Sequence, residues 1–207
     1  MHTVLKEKTK SQPILGYSKA NGMPKTVRWT RNQYYRMAEL GFFEGKRVEL
    51  IKGEIIEMSP MKAAHATAIV LATEALNKIF DQGFVVRTQL PTSFGKVDEP
   101  EPDIAVVKGD ARDFSESHPK TAELIVEVAD SSLNFDREKK ASLYAENKIG
   151  EYWILNLKDR CLEVYRRPVK DKNIGFIYTE IYVVGENETV SPLAKPKGKI
   201  KVSDILP

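Results

Sequence analysis

Two carboxylates stand where apolar side chains are expected. Pro102-Asp103-Ile104-Ala105-Val106-Val107 puts an acid at the start of a buried-type strand. Leu124-Ile125-Val126-Glu127-Val128 puts another inside one. A strand that is apolar on either side of Glu127 reads as covered on both faces. An ionised carboxylate there is costly unless it is paired or bound to a metal. If the two strands run antiparallel, the start of the first lies beside the end of the second, and Asp103 and Glu127 meet. Two converging carboxylates suit a hard divalent cation, Mg²⁺ or Mn²⁺. A second reading stays open: two separate strand-end acids, solvated or held by Lys or Arg, since structural ion pairs imitate such sites.

Asp136, Lys140 and Tyr144 recur at i, i+4 and i+8 and share one face of an expected helix over residues 136–147. Taken alone, Asp136 with Lys140 is a surface ion pair of a few tenths of a kcal/mol. The helix directly follows the Glu127 strand, so a lysine on its inward face could reach both acids. There it would position a water or offset charge on a phosphoryl transition state. Lys139 and Lys148 point elsewhere. His65 stands in line with Ile69, Ala72, Leu76 and Ile79 on another helix, as a packed histidine or one orienting a carboxylate or contacting phosphate. Glu49 and Glu54 share one face of a hairpin, where solvent exposure explains them almost as well. Cys161, Trp29, Trp153, Tyr152 and Tyr165 read as packing.

These residues need a scaffold, and the chain supplies its signals. Thr30-Arg31-Asn32-Gln33 is a capping-box pattern, opening a helix that should run through Leu40 and stop at Gly41. Arg47–Ile51 and Glu54–Met58 flank Lys52-Gly53, the mark of a two-residue hairpin pairing Ile51 with Glu54 and Glu49 with Ile56. Ser59-Pro60 predicts the start of the next helix. Strands are expected over 84–90, 102–107, 122–128, 151–157, 160–167 and 174–184. The order is α-β-β-β-α-β followed by further strands: an α/β (α+β) fold with a mixed sheet flanked by helices, plus an extra N-terminal helix and hairpin.

Composition sets the outer bounds. The 207 residues are 42% hydrophobic and 29% charged, as in a globular chain. One cysteine excludes an internal disulfide framework and a cysteine-only zinc site. No apolar run approaches the roughly 18 residues of a membrane helix, and MHTVLKEKTK lacks a secretory leader's apolar stretch. The expectation is a cytoplasmic protein without membrane contact. Residues 1–26 carry Lys6, Lys8, Lys10, Lys19 and Lys25 against Glu7 and read as a basic flexible extension, with residues 27–207 as a single domain. The net charge of +3 permits nucleic-acid binding without demanding it.

Together these segments resemble the PD-(D/E)xK nuclease superfamily, with its restriction-endonuclease-like fold. More narrowly, the chain resembles the Uma-type (Uma-two) family of restriction endonucleases, abundant in cyanobacteria. The segments that carry the likeness are Val48 to Glu54, Met58-Ser59-Pro60 with His65, and Glu99-Pro100-Glu101-Pro102-Asp103. Leu124 to Leu133, Asp136 with Lys140 and Tyr144, and Gly150-Glu151-Tyr152-Trp153 complete them. The resemblance implies a Mg²⁺-dependent (or Mn²⁺-dependent) DNA endonuclease. Asp103 and Glu127 match the metal-binding pair, and the backbone carbonyl of Val128 is a further donor. Where the superfamily has lysine two residues after the glutamate, this chain has Ala129, and Lys140 matches the family's relocated lysine. Glu74, Glu49 and Glu54 compete for the superfamily's first-helix acid. Duplex DNA has two-fold symmetry, so the resemblance also implies a homodimer. The competing expectation is a catalytically inactive nuclease-like domain that binds DNA or a protein.

Overall fold

Glycine and lysine at the first hairpin turn do what their spacing predicts. In the structure, a computed structural model describing residues 26–207, β1 (Val48–Ile51) and β2 (Glu54–Glu57) pair with Ile51 opposite Glu54 and Glu49 opposite Ile56. Lys52 and Gly53 both take positive φ, 51° and 74°, the demand of a type I′ turn. A Cβ at position 53 would also lie 2.8 Å from the Arg28 Cβ. The basic extension expected over residues 1–26 lies outside the described residues but for the last of them. α1 (Arg31–Glu39) begins with the expected capping box at Thr30 and gives way at Gly41, where φ is 81°.

α2 (Ala63–Ile79) starts later than Ser59-Pro60 predicts. Lys62 stands at its N-cap, with no side-chain cap bond. The Met58 N–H still donates to the Arg47 carbonyl at 2.8 Å, continuing the hairpin ladder past β2, so Ser59 and Pro60 follow the strand rather than the helix. The apolar stripe of α2 buries Ala68, Ile69, Ala72 and Leu76.

The main sheet has six strands in sequence order. They are β3 (Phe84–Thr88), β4 (Ile104–Lys108), β5 (Leu124–Ala129), β6 (Glu151–Asn156), β7 (Cys161–Asp171) and β8 (Gly175–Gly185). All neighbours are antiparallel except β5 and β6. A parallel pair needs a crossover, and a helical segment over 133–146, here α3, provides it. α3 is α-helical at Leu133–Phe135 and Ala141–Glu146, with a π-helical turn at Asp136–Lys140 between them. The Ala141 N–H reaches back to the Asp136 carbonyl. The helix expected from Asp136 therefore begins three residues earlier and holds a wide turn, a feature frequent at functional sites. A short pair, β9 (Thr189–Val190) with β10 (Ile200–Lys201), follows; the sequence pattern did not mark it.

All six residues of β5 are buried. Leu124, Val126 and Val128 pack with Ala68, Ile69, Ala72 and Leu76 of α2. Ile125 and Ala129 pack with Leu143, Tyr144 and Ala145 of α3. Each buried Leu, Ile or Val contributes about 1.5–3 kcal/mol relative to exposure, which fixes the register. Side chains alternate faces, so Glu127 is turned toward α3. The α-β-β-β-α-β core is thus α2-β3-β4-β5-α3-β6. Among the described residues no helix is long and apolar enough to cross a membrane.

Candidate active site

The β4–β5 ladder ends at Ile104 opposite Val126. One more step would pair Asp103 with Glu127, and there side chains replace the ladder. The Asp103 N–H donates to Glu127 Oε2 at 3.3 Å, and the Val128 N–H donates to Asp103 Oδ2 at 2.8 Å. Gln89 adds its N–H to the Asp103 carbonyl at 3.1 Å and its side-chain amide to Oδ1 at 3.3 Å. Both acids are buried.

Lys140 approaches from α3. Its Nζ donates to Glu49 Oε2 at 2.7 Å and to Glu127 Oε1 at 3.1 Å. The Tyr144 hydroxyl donates to the same Glu127 oxygen. Asp136, on the π turn, is buried and accepts from the Ser132 hydroxyl at 2.6 Å. His65 Nε2 lies 3.2 Å from Asp103 Oδ2, but off the line of a hydrogen bond, so this buried nitrogen has no hydrogen-bond partner among the described residues.

A cavity of about 280 Å³ opens onto the cluster. Arg47, Glu49, Lys62, His65, Glu101, Asp103, Glu127 and Asp136 are among its lining residues. Lys62 bridges to Asp130 at 2.8 Å beside it. Lys140 is not in the lining; it stands behind the carboxylates as their buried counter-ion.

The electrostatics show a deficit of positive charge. Four buried carboxylates, Glu49, Asp103, Glu127 and Asp136, surround one buried lysine. Burial, with repulsion from Asp103, Asp136 and Glu49, outweighs Lys140 and pushes Glu127 up to about 8. Burial likewise lifts Asp136 to about 6, against the Ser132 hydroxyl and Lys140. Burial acts on Asp103 in the same sense, yet His65, the Val128 amide and Lys140 prevail and hold it below its ordinary value. For Lys140 burial favours the neutral amine, but Glu127 and Glu49 prevail and keep it an ammonium. A raised Glu127 beside a charged Lys140 looks contradictory. Burial resolves it: loss of hydration is the largest influence on Glu127 and exceeds the attraction of Lys140, with the neighbouring acids adding to it.

Of the second-tier candidates, Glu49, His65 and Tyr144 join the cluster. Glu54 does not; it is exposed and pairs with Arg28 at 3.2 Å beside the hairpin turn. Glu74 lies exposed on α2. Of the three acids competing for one place, only Glu49 reaches Lys140, and it does so from a strand. The sequence reading left out Glu101, Arg47 and Lys62 on the cavity wall. Glu101 had a signal, since it stands two residues before Asp103 and shares its side in extended chain.

Among the described residues no group of three or more His, Cys, Asp or Glu side chains is placed to hold a metal ion. Mg²⁺ does not require one: it binds through one or two carboxylates and keeps several waters. Asp103 and Glu127 are oxygen donors in a cluster short of positive charge, and they fit such an ion.

The family model Uma2, described as "Putative restriction endonuclease", matches residues 31–198. Among solved structures, the chain is similar to a crystal structure described as a putative nuclease from Anabaena variabilis. The TM-score is 0.63 at 15% identity, over 77% of this chain and 89% of that one. At this identity the likeness is one of fold. No curated protein matches the chain.

Proposed function

We propose, because the chain belongs to the Uma2 family of restriction endonucleases, that it is a divalent-metal-dependent endonuclease hydrolysing phosphodiester bonds of DNA. One observation supports this most: the Asp103–Glu127 clasp on a cavity floor, with too little positive charge around it. In this reading residues 27–207 form one endonuclease-like domain, and Asp103 and Glu127 hold Mg²⁺ or Mn²⁺. The ion would supply Lewis-acid polarisation of the phosphate and activation of water.

The chain's own residues do the rest. The Asp103 N–H fixes Glu127 Oε2, and Tyr144 with Lys140 fixes Oε1, so the carboxylate cannot rotate. Val128 and Gln89 hold Asp103. Lys140 acts from behind, setting Glu49 and Glu127, rather than at the water as its spacing suggested. Asp136, at about 6, is suited to take a proton near neutral pH. Arg47 and Lys62 on the walls offer cations to the DNA backbone. A homodimer addressing both strands belongs to the same reading, and sedimentation velocity measures it.

The test is nicking of supercoiled plasmid with Mg²⁺, with Mn²⁺ and with EDTA. Metal-dependent nicking is expected. Binding of DNA without nicking in any metal would instead support an inactive, DNA-binding module.

A further inference from the structure

Glu127 has a counterpart two strands away. Glu127 on β5 stands opposite Ile154 on β6, and Ile154 stands opposite Glu163 on β7. The three form one cross-strand row and share a face of the sheet, so Glu163 is turned toward α3 as Glu127 is. Two strand spacings put the backbones of the two acids about 10 Å apart. Both acids are buried. Each takes a tyrosine hydroxyl, Tyr144 for Glu127 and Tyr165 for Glu163. Each also takes a cation from the π turn of α3. Lys140 goes to Glu127. Arg137 goes to Glu163 with its fork, Nε to Oε2 at 2.9 Å and Nη2 to Oε1 at 2.6 Å.

Neighbours on the sheet fix Glu163 independently of Arg137. The Asn156 amide donates to Oε1 at 3.1 Å and the Tyr165 hydroxyl to Oε2 at 3.0 Å. The Asp136 carbonyl, which accepts the Ala141 N–H of the π turn, also accepts the buried Tyr152 hydroxyl at 3.2 Å. The sheet thus holds the turn at two points besides the carboxylate cluster. A π turn is wider than an α turn, so each residue rotates by less than the α-helix's roughly 100°. Arg137 and Lys140, three residues apart, thereby diverge, one to β7 and the other to β5. Relaxation to the α form would rotate the two cations toward each other and draw at least one of them off its acid.

We infer that Arg137 and Glu163 are positioning residues: their fork clamps the π turn against β7 and so sets Lys140 and Asp136, on the same turn, at the Asp103–Glu127 clasp. As a role in cleavage this rests on the nuclease reading; the hold on the turn does not.

The test compares the parent with Arg137→Met, Glu163→Gln, the double variant and Arg137→Lys, by hydrogen exchange and by plasmid nicking in Mg²⁺. In Arg137→Met the amides of residues 136–141 should exchange about tenfold faster or more, with the protection of α2 unchanged, as in a local opening. The nicking kcat should fall about tenfold or more at parental KM for plasmid, the effect of misplaced groups. The pair acts as one unit, so the double variant should lose no more than either single variant. Arg137→Lys keeps the charge without the fork and should recover part of the loss. Unchanged exchange in α3 overturns the clamp, as does an equal rise in α2 and α3, which marks general destabilisation. Losses that add in the double variant overturn it too. So does a raised KM at parental kcat, because Arg137, with 42% of its side chain exposed, then serves the DNA directly. If Arg137→Met fails to fold, Arg137→Lys decides, since parental exchange and parental kcat there also overturn the clamp. The two readings fail separately. Parental kcat despite a loosened turn sinks the positioning role and leaves the nuclease reading intact. A parent that nicks nothing, with exchange loosened in α3 alone in Arg137→Met, sinks the nuclease reading and keeps the clamp.

Discussion

Lys140 and Glu49, 91 residues apart in the chain, meet at 2.7 Å with 1% of either side chain exposed. The contact ties the N-terminal hairpin to α3 across the end of the sheet. Glu127 completes the group at 3.1 Å, so one ammonium is shared by two buried carboxylates. Such an arrangement fixes geometry more than it adds stability, because desolvation offsets much of the attraction.

Removing one partner is another matter. Lys140→Met leaves Glu49 and Glu127 buried without their cation and should destabilise the fold by about 3–5 kcal/mol. Urea denaturation measures it. A loss under about 1 kcal/mol would mean that water reaches the carboxylates and that the pair is not a buried one.

Glu127 makes stability depend on pH in a defined sense. Its value is raised from 4.5 to about 8, so between these limits the folded state keeps a proton that the unfolded chain has released. Its contribution is complete below about 4.5 and is lost as pH rises through about 8. Glu127→Gln cannot titrate. The melting temperature of the variant minus that of the parent should therefore grow from pH 6 to pH 9. A difference independent of pH would show Glu127 already ionised at neutral pH.

The same proton links to metal. A carboxylate must be ionised to bind a cation, so Mn²⁺ affinity should rise between pH 6.5 and 8.5 with release of a proton. Calorimetry in buffers of different ionisation enthalpy counts that proton. Affinity flat across this range would remove Glu127 from the metal site.

Much of this arrangement was legible in sequence, for local reasons. The Lys52-Gly53 turn fixed the hairpin register because only a few turn types close two residues. The acids at 103 and 127 stood out against apolar strands, and i, i+4, i+8 spacing put Asp136, Lys140 and Tyr144 on one side. What was hidden depended on contacts made elsewhere. Ser59-Pro60 carries a helix-start signal, but the Met58–Arg47 bond keeps the chain extended there. Apolar periodicity does not separate the π turn at Asp136–Lys140 from an α-turn. Glu49 and Glu54 share a hairpin face, yet Lys140 reaches only Glu49, and Glu54 stays with Arg28 in solvent. Spacing also gave the direction of Lys140 and not its depth, so its place behind the carboxylates had to come from packing.

Asp103 is the acid on which metal binding and cleavage should depend most. Its substitution by Asn keeps the size of the side chain and an acceptor for the Val128 amide, while removing the charge that faces the cavity. The decisive measurement is the rate of plasmid nicking in Mg²⁺ by Asp103→Asn and by the parent, at matched concentration and with matched melting curves. A loss of about a hundred- to a thousandfold is expected, the scale of removing one group central to transition-state charge. Nicking by the folded variant within about threefold of the parent rate would contradict it.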